Sequence, residues 1–386
     1  MKKKVKIIAF HLPQFHEIPE NNEWWGKGFT EWTNVKRGRK LYPMHYQPKV
    51  PLHNNYYDLS KMEEIEKQVR MARMFGIDGF CFYHYYFTGK KLLEKPVEMY
   101  LIQKEKIPYC FAWANQSFSR TWYGKNGSNE VLLMQKYGEE KEWREHFEYL
   151  LPFFKDDKYI KVNNSPMFLI YLPQEFPKCN KMIALWNELA RIQGFSGVHF
   201  VAMETWYDTR WFPIGFNASV DFEPMRSMRD IPNWMKEIKY KRVQDFLEKG
   251  ISSNILKNSI YVDNICTYRT ISNISMNRKY YNNLKTNYLG VFTGWDNTAR
   301  KDESGFVIRN STPAKFEKYL RSQILKSQKK DNEYLFINAW NEWSEGAYLE
   351  PDNKYGYAYL KAVKKVKDEM FIPDRTTTKQ NFKRGI

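Results

Sequence analysis

The sequence predicts a single (β/α)8 TIM barrel, and two observations predict it. Eight short runs rich in β-branched, aromatic and other apolar residues recur along the 386-residue chain, at residues 5–11, 79–84, 109–114, 167–172, 198–203, 218–222, 289–293 and 334–339. Amphipathic stretches of helical period separate many of them, at residues 59–75, 97–106, 139–154, 181–193 and 314–329. Strands that alternate with helices form parallel sheets, and eight such units favour a closed barrel over a doubly wound sheet.

Local signals mark where these helices begin and end. Residues 58–60 (Asp-Leu-Ser) and 311–313 (Ser-Thr-Pro) are typical of helix starts, because their side chains can cap free backbone N–H groups. Gly76 and Gly194 are typical of helix ends. These four signals frame three of the predicted helices.

The connection after the sixth strand is too long for a simple crossover. Residues 225–285 hold 12 Lys or Arg against 5 Asp or Glu, so we expect a long basic insertion with one or two helices above the barrel. The barrel is then one catalytic domain over residues 1–370. Residues 371–386 form a polar, basic tail that we expect to be loosely ordered.

Composition narrows the class of partner. The chain carries 61 Lys and Arg against 44 Asp and Glu, a net charge of +17, which favours an anionic partner. It also carries 13 Trp within an aromatic fraction of 17%, and flat indole faces pack well against sugar rings. Nothing resembles a nucleic-acid-binding motif, so we expect no nucleic acid. Neither GxGxxG nor GxxxxGK[ST] occurs, which counts against a Rossmann-type nucleotide pocket.

Three sequence features bear on the cellular compartment and on cofactors. No apolar stretch approaches the 18 or more residues of a membrane span, and the four cysteines are scattered without a CxxC pair. The histidines show no metal-ligand spacing. We therefore expect a cytoplasmic protein without metal or cofactor, whose basic surface makes peripheral contact with the inner membrane face.

Aromatic, amide and carboxylate side chains concentrate at the C-terminal ends of the predicted strands, where barrels of this kind place their active sites. The candidate substrate-binding residues at these ends, and in the Trp-rich loop after the first strand, are His11, Trp25, Glu31, Trp32, His84, Tyr85, Trp113, Asn115, Trp295, Asp296, Arg300, Trp340 and Asn341. For His11 and His84 a hydrogen bond to a sugar hydroxyl and a structural role are equally open.

Glu342 and Glu345 are the candidate catalytic residues. They stand three residues apart just past the eighth strand, next to Trp340 and Trp343. Two crowded, partly buried carboxyl groups have separated pKa values, which leaves one protonated acid beside one ionised base. Cleavage of a glycosidic bond requires such a pair. Two solvated surface glutamates are the alternative, and the strand end and its tryptophans argue against it.

Several long motifs resemble the WbsX-type family. They lie at residues 18–34, 82–85, 294–300 and 341–352. The family is related to glycoside hydrolase family 99 and is typically encoded with genes for bacterial surface polysaccharides such as O-antigen and capsule. The resemblance spans residues 5 to about 365 and implies a (β/α)8 barrel, in agreement with the strand count.

The resemblance also implies a mechanism. In family 99 a motif Asn-Glu-Trp-x-Glu-Gly carries both catalytic carboxylates, and here it falls on residues 341–346. The family reaction retains configuration and uses the 2-hydroxyl of the sugar as nucleophile, through an epoxide-like intermediate. By that match Glu342 is the base for the 2-hydroxyl, and Glu345 is the acid and then base at the leaving oxygen.

One segment departs from the family pattern. Relatives usually carry carboxylates where this chain has Gln116 and Tyr123, so we expect a different substrate preference. The implied substrate is an oligosaccharide or a lipid-linked glycan. Hydrolysis and glycosyl transfer both stay open, as do a glycosyltransferase that uses an activated donor and a non-catalytic glycan-binding barrel.

Overall fold

Eight parallel strands close into a barrel in the computed structural model, which describes residues 4–120, 130–206, 215–231, 264–280 and 286–371. The strands β1–β8 are Lys6–His11, Gly79–Phe87, Tyr109–Trp113, Ser165–Ile170, His199–Glu204, Ala218–Asp221, Thr286–Phe292 and Tyr334–Asn338. Each strand pairs with the next, and β8 closes the ring on β1. The predicted TIM barrel is confirmed, and all eight predicted runs overlap an observed strand.

Helices surround the barrel. Within the described residues, helices α1–α11 are Pro19–Trp25, Glu31–Arg37, Met62–Met74, Lys95–Ile102, Glu140–Lys155, Cys179–Ile192, Met225–Arg229, Tyr268–Asn277, Thr298–Lys301, Pro313–Lys329 and Ala358–Phe371. Short 3-10 turns are Leu52–Asn54, Pro173–Glu175, Asp302–Ser304 and Trp343–Glu345.

Additional short strands form pairs outside the eight barrel strands or at their ends. Lys90–Leu92 folds back on β2, and Lys161–Val162 precedes β4. The remaining pairings join Phe118–Ser119 to Val131–Leu133, Asn341–Glu342 to Ala347–Tyr348, and Phe306–Arg309 to both Asn264–Thr267 and Trp295–Asp296.

Alternation along the strands separates two apolar layers. Phe10 points inward and packs against Tyr83, Phe222 and Phe336 in the barrel interior. Neighbouring residues point outward and pack under the helices, as expected when successive side chains face opposite sides. The thiols of Cys81 and Cys110 are buried on adjacent strands and are unbridged.

Helix boundaries follow most of the predicted signals. Gly76 and Gly194 follow α3 and α6 with φ of 85° and 86°, a backbone conformation that glycine adopts without strain. The Thr312 side chain accepts a hydrogen bond from Lys315 N at the start of α10. The predicted start of α3 is early: Asp58 Oδ1 instead accepts from Ser60 N in a separate turn, and the helix begins at Met62.

The basic insertion lies between β6 and β7. Helices α7 and α8 belong to it, whereas residues 232–263 and 281–285, with any helix predicted there, lie outside the described residues. The tail was predicted to begin at residue 371, but Phe371 still belongs to α11, and residues 372–386 lie outside the described residues. Among the described residues no helix is both long enough and apolar enough to cross a membrane.

Candidate active site

The loop after β8 is fastened to the end of β1. Trp340 N donates to Phe10 O at 2.7 Å. The Asn341 side chain then bonds both ways with the Leu12 backbone, accepting from its N–H at 2.7 Å and donating to its carbonyl at 2.9 Å. Glu342 pairs with Ala347 in a tight antiparallel turn. The conformation of this loop therefore depends on the pairing of β8 with β1, where the barrel closes.

Arg300 of α9 gathers three carboxylates around one guanidinium. Its Nε donates to Glu31 Oε1 at 2.8 Å, and its Nη1 donates to Glu345 Oε1 at 2.5 Å. Its Nη2 donates to Glu342 Oε2 at 3.3 Å. The Ser344 hydroxyl also donates to Glu31, which is fully buried. Because one positive group faces three acidic ones, the cluster holds an excess of negative charge when all three are ionised.

Burial and mutual repulsion perturb these groups. Burial raises the pKa of Glu342 well above its ordinary 4.5, and Glu345 raises it further, against the opposing effect of Arg300. Burial likewise raises the pKa of Glu31 against Arg300. Burial alone would lower the pKa of Arg300, but the three carboxylates raise it above its ordinary value. A carboxylate with a raised pKa is a stronger base once it is ionised.

The cluster opens into a cavity of about 540 Å³ at the C-terminal end of the barrel. Its lining residues are Leu12, Gln14, Tyr83, Tyr85, Ala114, Gln116, Ser117, Phe118, Ser119, Tyr171, Phe222, Met225, Asn297, Arg300, Lys301, Glu342 and Glu345. Burial and the nearby glutamates raise the pKa of Tyr83 and of Tyr85. Both phenols therefore stay protonated at neutral pH and can donate hydrogen bonds to sugar oxygens.

The sequence matches the family described as Glycosyltransferase WbsX over residues 7–363. The chain belongs to this family. The resemblance inferred from the motifs is thereby confirmed.

Other similarities agree with this family. WxcX, an uncharacterized protein of Xanthomonas campestris pv. campestris, is 32% identical over 362 residues, which cover 93% of this chain and 49% of WxcX. The chain thus spans about half the length of the curated relatives it matches. A GH99 endo-alpha-mannosidase from Bacteroides thetaiotaomicron superposes with a TM-score of 0.55 at 13% identity, covering 94% of this chain and 96% of that one. A glycoside hydrolase-like protein gives a TM-score of 0.56 at 12% identity, covering 94% of each chain. These structures share the fold.

Three predicted substrate ligands of this WbsX-family barrel face outward instead of into the cavity. His11 Nε2 lies 2.7 Å from Gln68 Oε1 of α3, and His84 Nε2 lies 2.8 Å from His146 Nε2 of α5. Trp113 packs edge-on against His146. Burial lowers the pKa of His11 to about 4 and that of His84 to about 3, so both rings are neutral at pH 7. The structure gives them the structural role and not the sugar-binding one.

Polar side chains at other strand ends form hydrogen bonds with the backbone and with loop residues. The Asn115 side chain accepts a hydrogen bond from Leu172 N at 2.7 Å and donates one to Leu172 O at 2.8 Å. Asn341 binds the Leu12 backbone in the same way. Asp296 accepts from His45 Nε2 and Gln47 Nε2, each at 2.9 Å. The protein itself thus supplies hydrogen-bond partners for Asn115, Asn341 and Asp296, and none of the three lines the cavity beside Glu342 and Glu345.

The predicted tryptophans also lie outside this cavity. Trp32 is buried, and its Nε1 donates to Tyr57 O at 2.8 Å. Trp340 is fully buried, and the half-buried Trp25 has the Arg120 guanidinium 5.3 Å above its ring. Trp295 lines a separate cavity. Of the predicted residues, the structure brings together Glu342, Glu345, Arg300, Tyr85 and, beneath them, Glu31.

Sequence reasoning missed several lining residues. Tyr83 was the most accessible of these to prediction, because it lies two positions before Tyr85 on one strand and so shares its face. Other polar residues of the lining that were not predicted include Gln14, Tyr171, Asn297 and Lys301. Gln116, which replaces a usual family carboxylate, lines the cavity, whereas Tyr123 lies outside the described residues.

A second cluster of the same composition lies at the end of β6. Arg278 Nη1 lies 2.8 Å from both Asp221 Oδ2 and Glu223 Oε1, and its Nε lies 3.0 Å from Asp230 Oδ2. Its Nη2 donates to Ser227 Oγ at 2.8 Å. This cluster is closed by protein on every nitrogen. In the part of the chain that the structure describes, no group of three His, Cys, Asp or Glu side chains is placed to hold a metal ion.

Proposed function

We propose that this enzyme cleaves or transfers a glycosyl unit with retention of configuration, using Glu342 and Glu345 as its catalytic carboxylates. The observation that carries the proposal is their position: both contact one guanidinium and both line one cavity. The family 99-like fold and the WbsX family support it. We propose that the substrate is an oligosaccharide or lipid-linked glycan of a bacterial surface polysaccharide.

The match to the family 99 motif assigns a role to each carboxylate. Glu342, ionised, takes the proton of the substrate 2-hydroxyl, and its raised pKa makes it a strong enough base to help this weak acid. The 2-oxygen then attacks C1 while the bond from C1 to the leaving oxygen breaks. Glu345 gives its proton to that leaving oxygen. The products of this step are an epoxide-like sugar and the released alcohol.

The second step returns both protons. Glu345 takes a proton from water or from a sugar hydroxyl, whose oxygen opens the intermediate at C1, and Glu342 gives its proton back to the 2-oxygen. Water as acceptor gives hydrolysis, and a sugar hydroxyl gives transfer. The polar Tyr83, Tyr85 and Gln14 side chains in the cavity can hold either acceptor. We place the reaction in the cytoplasm, at or near the inner membrane face.

The test compares leaving groups. Aryl α-mannosides with a good and a poor leaving group are assayed with wild type, Glu345→Gln and Glu342→Gln, and NMR follows the anomeric product. Glu317→Gln, on the outer helix α10, is the control. We expect Glu345→Gln to lose about 10³-fold on the poor leaving group and far less on the good one. Glu342→Gln should fail on both.

Two results would overturn the proposal. Equal turnover by wild type and Glu345→Gln on the poor leaving group removes Glu345 as the acid. Glycan binding without turnover by the wild type across a broad glycoside panel assigns a non-catalytic binding barrel instead.

A further inference from the structure

A second cavity, of about 400 Å³, lies on the other side of the catalytic loop. Asp296 and Gly346 line it, whereas their chain neighbours Asn297 and Glu345 line the catalytic cavity. The two cavities are therefore separated by these two backbone segments. Its mouth carries Met44, which is 99% exposed.

The partition is thin because Gly346 has no side chain. A Cβ at this position would lie 3.1 Å from the Asp296 N and Cβ atoms, and the residue has φ of 63°. In the segment that contains Asp296, a Cβ on Gly294 would lie 2.9 Å from Gly346 O. The backbones thus touch directly, and a ligand in the second cavity rests on the loop that carries Glu345.

Cations and aromatic rings alternate in this cavity. The Arg309 guanidinium lies 4.1 Å above the Tyr42 ring, and the Lys354 amine lies 4.8 Å from Tyr46 and 4.9 Å from Tyr355. Such rings are suited to pack on sugar C–H faces, while the cations attract an anionic substituent.

The charge of the lining is positive. Asp296 is its only carboxylate among the described residues, and it is already bound by Lys49 at 3.3 Å and by His45. Burial opposes the shift, yet Lys49 and the bond from His45 hold the pKa of Asp296 well below its usual range, so it stays ionised. Arg309 and Lys354 form no ion pair with any carboxylate in the described ranges. Two cationic charges are left for a ligand.

Buried polar atoms in the same lining lack partners. Within the described part of the chain, Thr293 Oγ1 and Trp295 Nε1 make no hydrogen bond, although both residues are at least nine-tenths buried. A buried donor without a partner is unfavourable, so a ligand that accepts a hydrogen bond from these two groups gains affinity.

We infer that this second cavity binds a sugar unit that carries an anionic group, either the carboxylate of a uronic acid or a phosphate. The ring packs on the tyrosines, the Trp295 N–H and Thr293 hydroxyl bond its oxygens, and Arg309 and Lys354 hold the anion. This inference goes beyond the proposed reaction and needs neither catalytic glutamate.

The experiment measures binding by calorimetry, without turnover. The probes are D-glucuronate, D-glucose 6-phosphate, neutral D-glucose and inorganic phosphate. Wild type is compared with Arg309→Gln, Lys354→Met and Glu342→Gln. Lys36→Met is the matched control, because Lys36 lies 4.3 Å from the Tyr56 ring outside both cavities. Circular dichroism checks that each variant is folded.

We expect the two acidic sugars to bind at least about tenfold more tightly than glucose, and both cavity variants to lose about tenfold. Lys36→Met and Glu342→Gln should bind as the wild type does. The ratio of glucuronate to glucose 6-phosphate affinity then identifies the preferred anion. Three results would overturn the inference: equal binding of glucose, equal binding of inorganic phosphate, or loss of binding in Glu342→Gln, which would place the probe in the catalytic cavity.

Discussion

Arg300 and Arg278 each bind three carboxylates, yet we assign a structural role to the Arg278 cluster and a catalytic role to the Arg300 cluster. Arg278 is 4% exposed and joins the end of β6 to the segments around α7 and α8, with a serine on its remaining nitrogen. Arg300 is 11% exposed, and two of its carboxylates line a cavity. Charge composition alone therefore does not distinguish a structural tie from a reactive site. What distinguishes them is access for a ligand.

The largest expected difference concerns activity. Arg300→Met leaves Glu342 and Glu345 facing each other without their shared cation, so their protonation states no longer suit the reaction. We expect turnover to fall by about 10²- to 10³-fold, as when a positioned donor is removed from an active site. Steady-state assays measure this. Arg278→Met is the matched variant and should keep turnover within about threefold at a temperature where it is folded.

For the free energy of unfolding, we expect Arg278→Met to have the larger effect and Arg300→Met the smaller one. Arg278→Met leaves the buried carboxylates of Asp221 and Glu223 without their cation, whereas the partly exposed Asp230 keeps Arg226. We expect a loss of about 3 kcal/mol in the free energy of unfolding. Arg300→Met should lose less, because Glu342 and Glu345, two of its three carboxylates, border a cavity that water can enter. Urea unfolding of both variants checks this. Equal losses would contradict the distinction between a closed and an accessible cluster.

The pH dependence of turnover follows from Glu342. The proposed base must be ionised, and its pKa is raised above 4.5 by burial and by Glu345. Activity should therefore fall as the pH decreases through a value above 4.5. A kcat/KM profile of the wild type measures this acid limb. A limb at or below 4.5 would remove Glu342 as the group that titrates.

The smallest expected effect is a gain in stability. A carboxyl with a raised folded pKa stabilises the fold below pH 4.5, and that contribution is lost as the pH rises through the folded pKa. Glu342→Gln cannot ionise, so it should be more stable than the wild type by about 1 kcal/mol at pH 8 and equal at pH 4. Urea unfolding at both pH values tests this, with Glu223→Gln expected to be destabilised at pH 8.

The fold was largely predictable because strands and helices leave periodic signals. All eight apolar runs became barrel strands, and Gly76 and Gly194 ended their helices. The start of α3 was placed early because Asp58 can cap either a helix or a turn, and its side chain bonds within a turn here.

The site was only partly predictable, since proximity to a strand end does not say which way a side chain faces. Glu342, Glu345, Arg300 and Tyr85 meet at the cavity as expected. His11 and His84 occupy the alternate positions of their strands and point toward helices. Asn115 and Asp296 satisfy the backbone and loop partners nearest to them, and this choice depends on tertiary contacts that no local pattern encodes.

The bond between Asn341 and the Leu12 backbone joins positions 329 residues apart in the chain. During synthesis, Leu12 leaves the ribosome long before Asn341 is made. The loop that carries Glu342 and Glu345 can therefore take its final position only when β8 is available to pair with β1, and a nascent chain released before that point has no assembled site. We therefore expect the proposed activity only in chains in which β8 has paired with β1.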